Sequence, residues 1–126
     1  MTTFNWVVER TKCSAQQVFK ELELGVKEDA DTMNSQRPPH AHYKFTVCQL
    51  AGGRFSVIRE EPRGIPSVEF VLEGNQIRVS INDVVKFTAT LTLNNEGQCR
   101  LKVKDAELEQ WQFRRMALED LFFGHA

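Results

Sequence analysis

Seven segments of the chain alternate between apolar and polar residues, the period-two pattern that is typical of strands with one buried face. Short turns separate most of these segments, and short turns make neighbouring strands antiparallel. Gly74 and Asn75, for example, stand between two alternating runs and predict a tight hairpin. The pattern predicts seven strands, at residues 4–9, 43–48, 54–58, 68–73, 76–82, 85–93 and 98–104.

Two segments follow the helical period instead. The first begins at Ser14, because a serine followed three residues later by Gln17 forms a capping box. Gly25 costs a helix about 1 kcal/mol relative to alanine, so we expect it near a fraying end. Residues 29–42 contain Pro38 and Pro39 and are predicted to form a loop. One face of the helix carries Ala15, Val18, Phe19, Leu22 and Val26.

The second helix is predicted to begin at a cap formed by Asp105 and to run to about Phe123, with Gly124 as its stop. Its apolar residues do not form one stripe, which indicates a helix that is covered on more than one side. One side carries Leu108, Trp111, Leu118 and Phe122, and another carries Phe113, Ala117 and Leu121.

The order of strand, helix, six strands and helix predicts an α+β fold. We expect a curved, mainly antiparallel sheet of about seven strands, packed on the C-terminal helix because its apolar face must be covered. A chain of 126 residues is long enough for one domain with its own core, so residues 1–126 are predicted to form a single domain. The net charge of −1 argues against a nucleic-acid partner.

The opening strand and the helix that follows it, with residues 14–22 reading SAQQVFKEL, resemble the start of the START/Bet v 1 helix-grip superfamily. The resemblance implies strands that curve around a long C-terminal helix, with room for a ligand between them. The chain is short for that superfamily, and a second helix would have to fit into residues 29–42. A pleckstrin-homology-like barrel is the second candidate, because it also has seven strands and a C-terminal helix.

The three cysteines, Cys13, Cys48 and Cys99, are far apart and odd in number. This spacing predicts no disulfide framework and fits a reducing compartment. The N-terminus lacks the basic and apolar regions of a secretory signal, and no apolar stretch is long enough for a membrane span. We therefore expect a cytoplasmic protein.

The candidates for catalysis and metal binding are few. His40 and His42 could share a metal, but zinc usually takes three or four ligands, so a solvated histidine pair is the favoured interpretation. Buried, unreactive thiols are favoured for the cysteines, and solvated turns for the carboxylates Glu60, Glu61 and Asp83. No nucleotide-binding or hydrolase motif is present in recognisable form. We expect no metal and no cofactor, and the sequence indicates no catalytic set.

Arg59 is more informative, because it continues the register of Phe55 and Val57 toward the apolar face. It could bind the carboxylate of a ligand, although a position at the sheet edge or a bulge after Ile58 is favoured. Aromatic residues could line the same pocket or fill a solid core. The predicted ligand-binding residues are Arg59, Tyr43, Phe70, Phe87 and Trp111.

These observations lead to two hypotheses of function. In the first, a small apolar or amphipathic ligand binds between the sheet and the C-terminal helix. In the second, the protein is a non-enzymatic interaction module, a homodimer that uses the spare face of that helix. Aromatic residues and methionine are enriched at interfaces. The residues to mutate in a test of this interface are Phe113, Met116, Leu121 and Phe123.

Overall fold

Seven antiparallel strands form one open, curved sheet in which the strand order follows the chain. The computed structural model describes residues 3–61 and 64–124. The predicted α+β class, with an antiparallel sheet and a C-terminal helix, is confirmed. The elements are α1 (Trp6–Lys12), α2 (Ala15–Gln36), β1 (Lys44–Leu50), β2 (Arg54–Glu60), β3 (Ser67–Glu73), β4 (Gln76–Ile81), β5 (Val84–Leu93), β6 (Cys99–Val103), β7 (Ala106–Leu108) and α3 (Gln110–Phe123).

The N-terminal segment is a helix, so the strand predicted at residues 4–9 is wrong. The side chain of Asn5 accepts hydrogen bonds from the backbone N–H groups of Val7 and Val8, at 3.1 and 3.2 Å. Such a cap satisfies N–H groups that have no partner inside a helix, and it fixes the start of α1. The alternation of Phe4, Trp6 and Val8 therefore does not mark a buried strand face, and all three side chains are exposed.

The helix α2 is longer than the sequence pattern indicated, because it continues through residues 29–36 of the predicted loop. Its serine cap is confirmed, since Ser14 Oγ accepts from the N–H of Gln17 at 3.1 Å. The loop itself is confined to residues 37–43, around Pro38 and Pro39. Within the part of the chain that the structure describes, no helix combines the length and apolarity needed to cross a membrane.

Asn34 joins the end of α2 to the edge strand β1. Its side-chain amide donates to the carbonyl of Phe45 at 2.8 Å and accepts from the N–H of Phe45 at 2.9 Å. Asn34 therefore pairs with both backbone groups of one residue, as a neighbouring strand would. This pair of bonds fixes the position of α2 along the first strand of the sheet.

Gly25 lies inside α2, where the structure gives it a role other than that of a fraying end. A Cβ at Gly25 would stand about 2.5 Å from Nη1 of Arg114, so a larger residue would require the guanidinium to shift from its present position. Arg114 crosses Gly25 and its Nε donates to Asp29 Oδ2 at 2.8 Å. The glycine thus permits close contact between α2 and α3.

The last helix begins four residues later than predicted. Residues 106–108 form β7, which pairs with β6 and completes the seven strands. Asp105 is therefore part of a turn, and Glu109 is the cap, with its N–H donating to Gln112 Oε1 at 2.8 Å. The predicted stop at Gly124 is confirmed, because the N–H of Gly124 donates to the carbonyl of Asp120.

The core lies between the inner face of the sheet and the helices α2 and α3. Its centre is a chain of aromatic rings from both helices and three strands, with centroids 4.7–6.3 Å apart. Offset and edge-to-face rings at such distances stabilise a core beyond their buried area. The rings are those of Phe19, Phe55, Phe70, Phe113 and Phe87.

Cys13 and Cys99 form a disulfide, so the prediction that the sequence has no disulfide framework is wrong. The two residues are 86 positions apart, and only the fold brings the end of α1 next to the start of β6. Spacing alone cannot reveal such a pair, because connectivity is not encoded in cysteine positions. Cys48 is free and half-buried on β1.

The position of α3 leads to a stability prediction. Replacing Phe113, which is fully buried, with alanine is expected to lower the free energy of unfolding by about 3–5 kcal/mol, because it leaves a cavity in the aromatic core. The matched control is Phe123→Ala on the same helix. Its ring is 66% exposed, so the expected change is within about 0.5 kcal/mol. Urea unfolding followed by circular dichroism measures both, and equal effects would contradict this assignment of the core face.

Candidate functional site

A groove lies between α2 and α3 at the end where both helices terminate. The helices run side by side in the same direction, since Arg114 contacts Asp29 while Phe122 faces Met33 and Gln36 further along. The groove consists of two adjoining cavities of about 610 and 310 Å³. We call it the α2–α3 groove and define it by the residues that line both cavities, which are Met33, Gln36, Phe122 and Phe123.

The wide end of the groove reaches the edge of the sheet. Phe45 on β1 forms its floor, and the ring of Phe122 meets that of Phe45 edge-on at 4.8 Å. Tyr43 packs against Phe45 at 5.7 Å and extends the aromatic surface toward the loop after α2. Polar groups complete this end, namely Arg37, Arg59 and Glu61.

Arg59 points toward the inner face of the sheet, opposite Phe45 in the strand register. Its guanidinium forms two bonds with Glu61, from Nε to Oε2 at 2.9 Å and from Nη2 to Oε1 at 3.3 Å. The side chains of Arg59 and Glu61 are only 12% and 21% exposed. The register that continues Phe55 and Val57 is therefore confirmed, and the alternative of a bulge after Ile58 is wrong.

The third hydrogen bond of Arg59 caps a backbone carbonyl in the last turn of α3. Nη1 donates to the carbonyl of Leu121 at 3.0 Å. The last carbonyls of a helix have no partner within the helix, and they carry partial negative charge. Arg59 therefore joins β2, Glu61 and the end of α3 in one polar cluster, which we call the Arg59 cluster. Glu61 supplies the carboxylate that the sequence analysis assigned to a ligand.

Arg37 is the other cation at the wide end. It follows the last residue of α2, and its guanidinium donates to the carbonyl of Tyr43. Within the described residues, no carboxylate lies within ion-pair distance of Arg37. The N–H groups of its guanidinium can donate hydrogen bonds to a group that enters the groove.

The narrow end of the groove is more apolar. Trp111 and Leu118 line it together with the shared residues, and two ion pairs border it. Arg114 binds Asp29 across the helices, and Arg115 binds Glu119 along α3. The hydrogen bond that Arg115 Nε donates to the Glu119 carboxylate, and then the negative charge of Glu119, raise the pKa of Arg115. Both pairs are balanced, which leaves this end without net charge.

Three of the five predicted ligand-binding residues line the α2–α3 groove. Arg59 and Tyr43 lie at its wide end, and Trp111 lies at its narrow end. Phe70 is fully buried and stacks on Phe55 at 4.7 Å, while Phe87 meets Phe113 edge-on at 5.5 Å. These two rings therefore belong to the core between the sheet and α3.

The sequence analysis missed the groove residues on α2, because it interpreted residues 29–42 as a loop. Met33 and Gln36 lie on the last two turns of the helix. One signal was available, since Val26, Ala30 and Met33 continue the helical spacing i, i+4, i+7 beyond Gly25. The proline pair at residues 38 and 39 marks the true end.

The remaining candidate residues are scattered. His40 and His42 are exposed in the loop before β1, so they do not share a strand face. Asp83 occupies a tight turn with positive φ, and Glu60 is exposed at the end of β2, where it accepts from Thr46 Oγ1 at 3.2 Å. Across residues 3–61 and 64–124, no three histidine, cysteine, aspartate or glutamate side chains form a group that could hold a metal ion.

In comparisons with known proteins, no protein-family model, curated protein or solved structure matches this chain.

The Arg59 cluster leads to a second stability prediction. Glu61→Ala is expected to lower the free energy of unfolding by about 1.5–3 kcal/mol, because Arg59 then keeps a largely buried charge without its carboxylate. Glu60→Ala is the matched control, one residue away and exposed, with an expected change within about 0.5 kcal/mol. Urea denaturation compares the two variants. An equal, small effect at both positions would show that Glu61 does not stabilise Arg59.

Proposed function

We propose that the α2–α3 groove binds a small amphipathic molecule. The observation that carries this proposal is the pair of adjoining cavities, of about 610 and 310 Å³, between the two helices. Sites for small molecules commonly occupy about 300–1,000 Å³ and combine apolar walls with a few polar groups. The groove has both properties.

The lining suggests how such a molecule would lie. Its apolar part would contact Met33, Phe122 and the exposed ring of Trp111. Its polar head would lie at the wide end, where Arg37 can donate hydrogen bonds. A head group that accepts hydrogen bonds, such as a carboxylate or a carbonyl, fits this arrangement better than a donor does.

The proposed position differs from the one expected from the sequence. Phe113 fills the space between α3 and the middle of the sheet, where it contacts Phe70 and Phe87. Open space lies along the flank of α3 that faces α2, and its wide end reaches the sheet at Phe45 on β1 and Arg59 on β2. The relationship to the helix-grip superfamily and the cytoplasmic location stay predictions.

Blocking the groove tests this proposal directly. Gln36 lines both cavities and is exposed, so Gln36→Trp fills the groove without changing the core. With 1-anilinonaphthalene-8-sulfonate, an amphipathic anion, as the probe, we expect the Kd of Gln36→Trp to rise at least about tenfold, or about 1.4 kcal/mol. Fluorescence titration measures the affinity.

Gln16→Trp provides the matched control, because Gln16 is an exposed glutamine on the same helix, outside the groove lining. Its Kd is expected to equal that of the unaltered protein. If the dye binds Gln36→Trp as tightly as Gln16→Trp, the binding site is not the groove. Trp111→Ala should weaken binding as well, since it removes the aromatic wall of the narrow end.

A homodimer is the second candidate. Three large apolar side chains on α3 are exposed, with Trp111 at 51%, Met116 at 48% and Phe123 at 66%. Exposed aromatic residues and methionine on one helix are typical of interfaces. Phe113 and Leu121, which the sequence analysis assigned to the same interface, are buried in the core instead.

A substitution at Met116 distinguishes the ligand-binding function from the homodimer, because Met116 lies outside the lining of both groove cavities. Native mass spectrometry of the gently purified protein is expected to show a monomer that carries extra mass, released on denaturation. A bare dimer would favour the second candidate. In that case Met116→Lys should convert the dimer to a monomer, whereas Gln36→Trp should leave it intact.

A further inference from the structure

The disulfide between Cys13 and Cys99 attaches the N-terminal segment to the sheet. Cys13 is the residue that ends α1, and it immediately precedes Ser14, the cap of α2. Cys99 is the first residue of β6. The covalent bond therefore holds the junction of the two helices against one end of the β5–β6 hairpin.

The segment that precedes this bond contributes nothing to the core. No residue of α1 is buried, and Trp6, Val7 and Val8 are all exposed. The polar contacts described for α1 are local. Its cap, its side-chain hydrogen bonds and its ion pair all join residues within 5–13. No polar contact among these residues attaches α1 to another element.

Apart from the disulfide, the segment lies near the rest of the protein at two places. The ring of Phe4 lies on Gly97, where any side chain would clash with it. Trp6 and Arg10 border an open cavity of about 390 Å³ together with residues 91–93 of β5. A surface that leaves such a space is not closely packed.

The helix α2, by contrast, is anchored independently of the disulfide. Beginning with Val18 and Phe19, it places six buried residues along its length. The boundary between the loosely held and the firmly held part of the chain thus falls at Cys13. We propose that the Cys13–Cys99 disulfide is a reversible clasp that controls whether residues 3–12 stay on the sheet.

The chemistry is thiol–disulfide exchange with a dithiol or with two equivalents of a glutathione-type thiol. Cys13 is 2% exposed and Cys99 is half-buried, so Cys99 is the more accessible of the two residues and the proposed point of attack. The attacking thiolate forms a mixed disulfide with Cys99, and Cys13 leaves as a thiolate that takes up a proton. A second thiolate then displaces Cys99. The reductant ends as its own disulfide, and the protein gains two electrons and two protons.

Release should unfold α1. A helix of seven residues is far below the length at which isolated helices persist in water. Its removal would also uncover the end of β5, where Leu91 and Leu93 line the cavity beneath Trp6. Reduction would thereby expose a surface at the end of β5 that the oxidised protein covers, while the α2–α3 groove stays unchanged.

Hydrogen exchange measured by mass spectrometry tests the clasp, with dithiothreitol as the reductant. On reduction, amides of residues 5–12 are expected to exchange about tenfold faster or more, because they lose their helical hydrogen bonds. Peptides from α2, α3 and the strands β1–β5 should keep their rates, and oxidised dithiothreitol should restore the protection of α1. The experiment is repeated with Cys48→Ser, which prevents disulfide exchange with the remaining thiol.

Two results would overturn the proposal. Unchanged exchange in residues 5–12 would show that contacts other than the disulfide hold α1. Equally faster exchange throughout α2 and the sheet would show that the bond stabilises the whole fold and is not a local clasp. The double variant Cys13→Ser, Cys99→Ser provides a second measurement. Its amide exchange rates in residues 5–12 should match those of the reduced protein, and adding dithiothreitol should not change them.

Discussion

The contact between Phe113 and the inner face of the sheet is the interaction on which the rest of the structure depends. Its ring is fully buried and lies within 6.3 Å of Phe70 and 5.5 Å of Phe87. The ring therefore fills the space between α3 and the middle of the sheet where the sequence predicted a ligand. Because Phe113 occupies that space, α3 presents its other flank to α2, and the groove forms there.

The strands could be predicted from the sequence because alternation is a local signal. Six strands, β1 to β6, follow the pattern, and the turn at Asn82 and Asp83 has the positive φ angles that such short hairpins require. Alternation was misleading at Phe4, Trp6 and Val8. There the cap formed by Asn5 decides the structure, and the apolar side chains face solvent.

The candidate site was only partly predictable, since it depends on contacts between distant parts of the chain. The strand register placed Arg59 on the inner face, but its bond to Leu121 spans 62 residues and no local pattern contains it. Gly25 illustrates the same limit. In the sequence it is a helix breaker, whereas in the structure it makes room for Arg114, which lies 89 positions away on α3. The groove between the two helices follows from such contacts.

The amide of Asn34 has a further consequence for the behaviour of the protein at high concentration. An edge strand with unpaired backbone groups is a template for intermolecular pairing, and β1 is a seven-residue edge strand without proline. Asn34 already occupies both outward groups of Phe45, so an approaching strand could bond only to the remainder of β1. A single side chain on a helix thus shortens the part of the sheet edge that is open to intermolecular strand pairing, which opposes aggregation through β1.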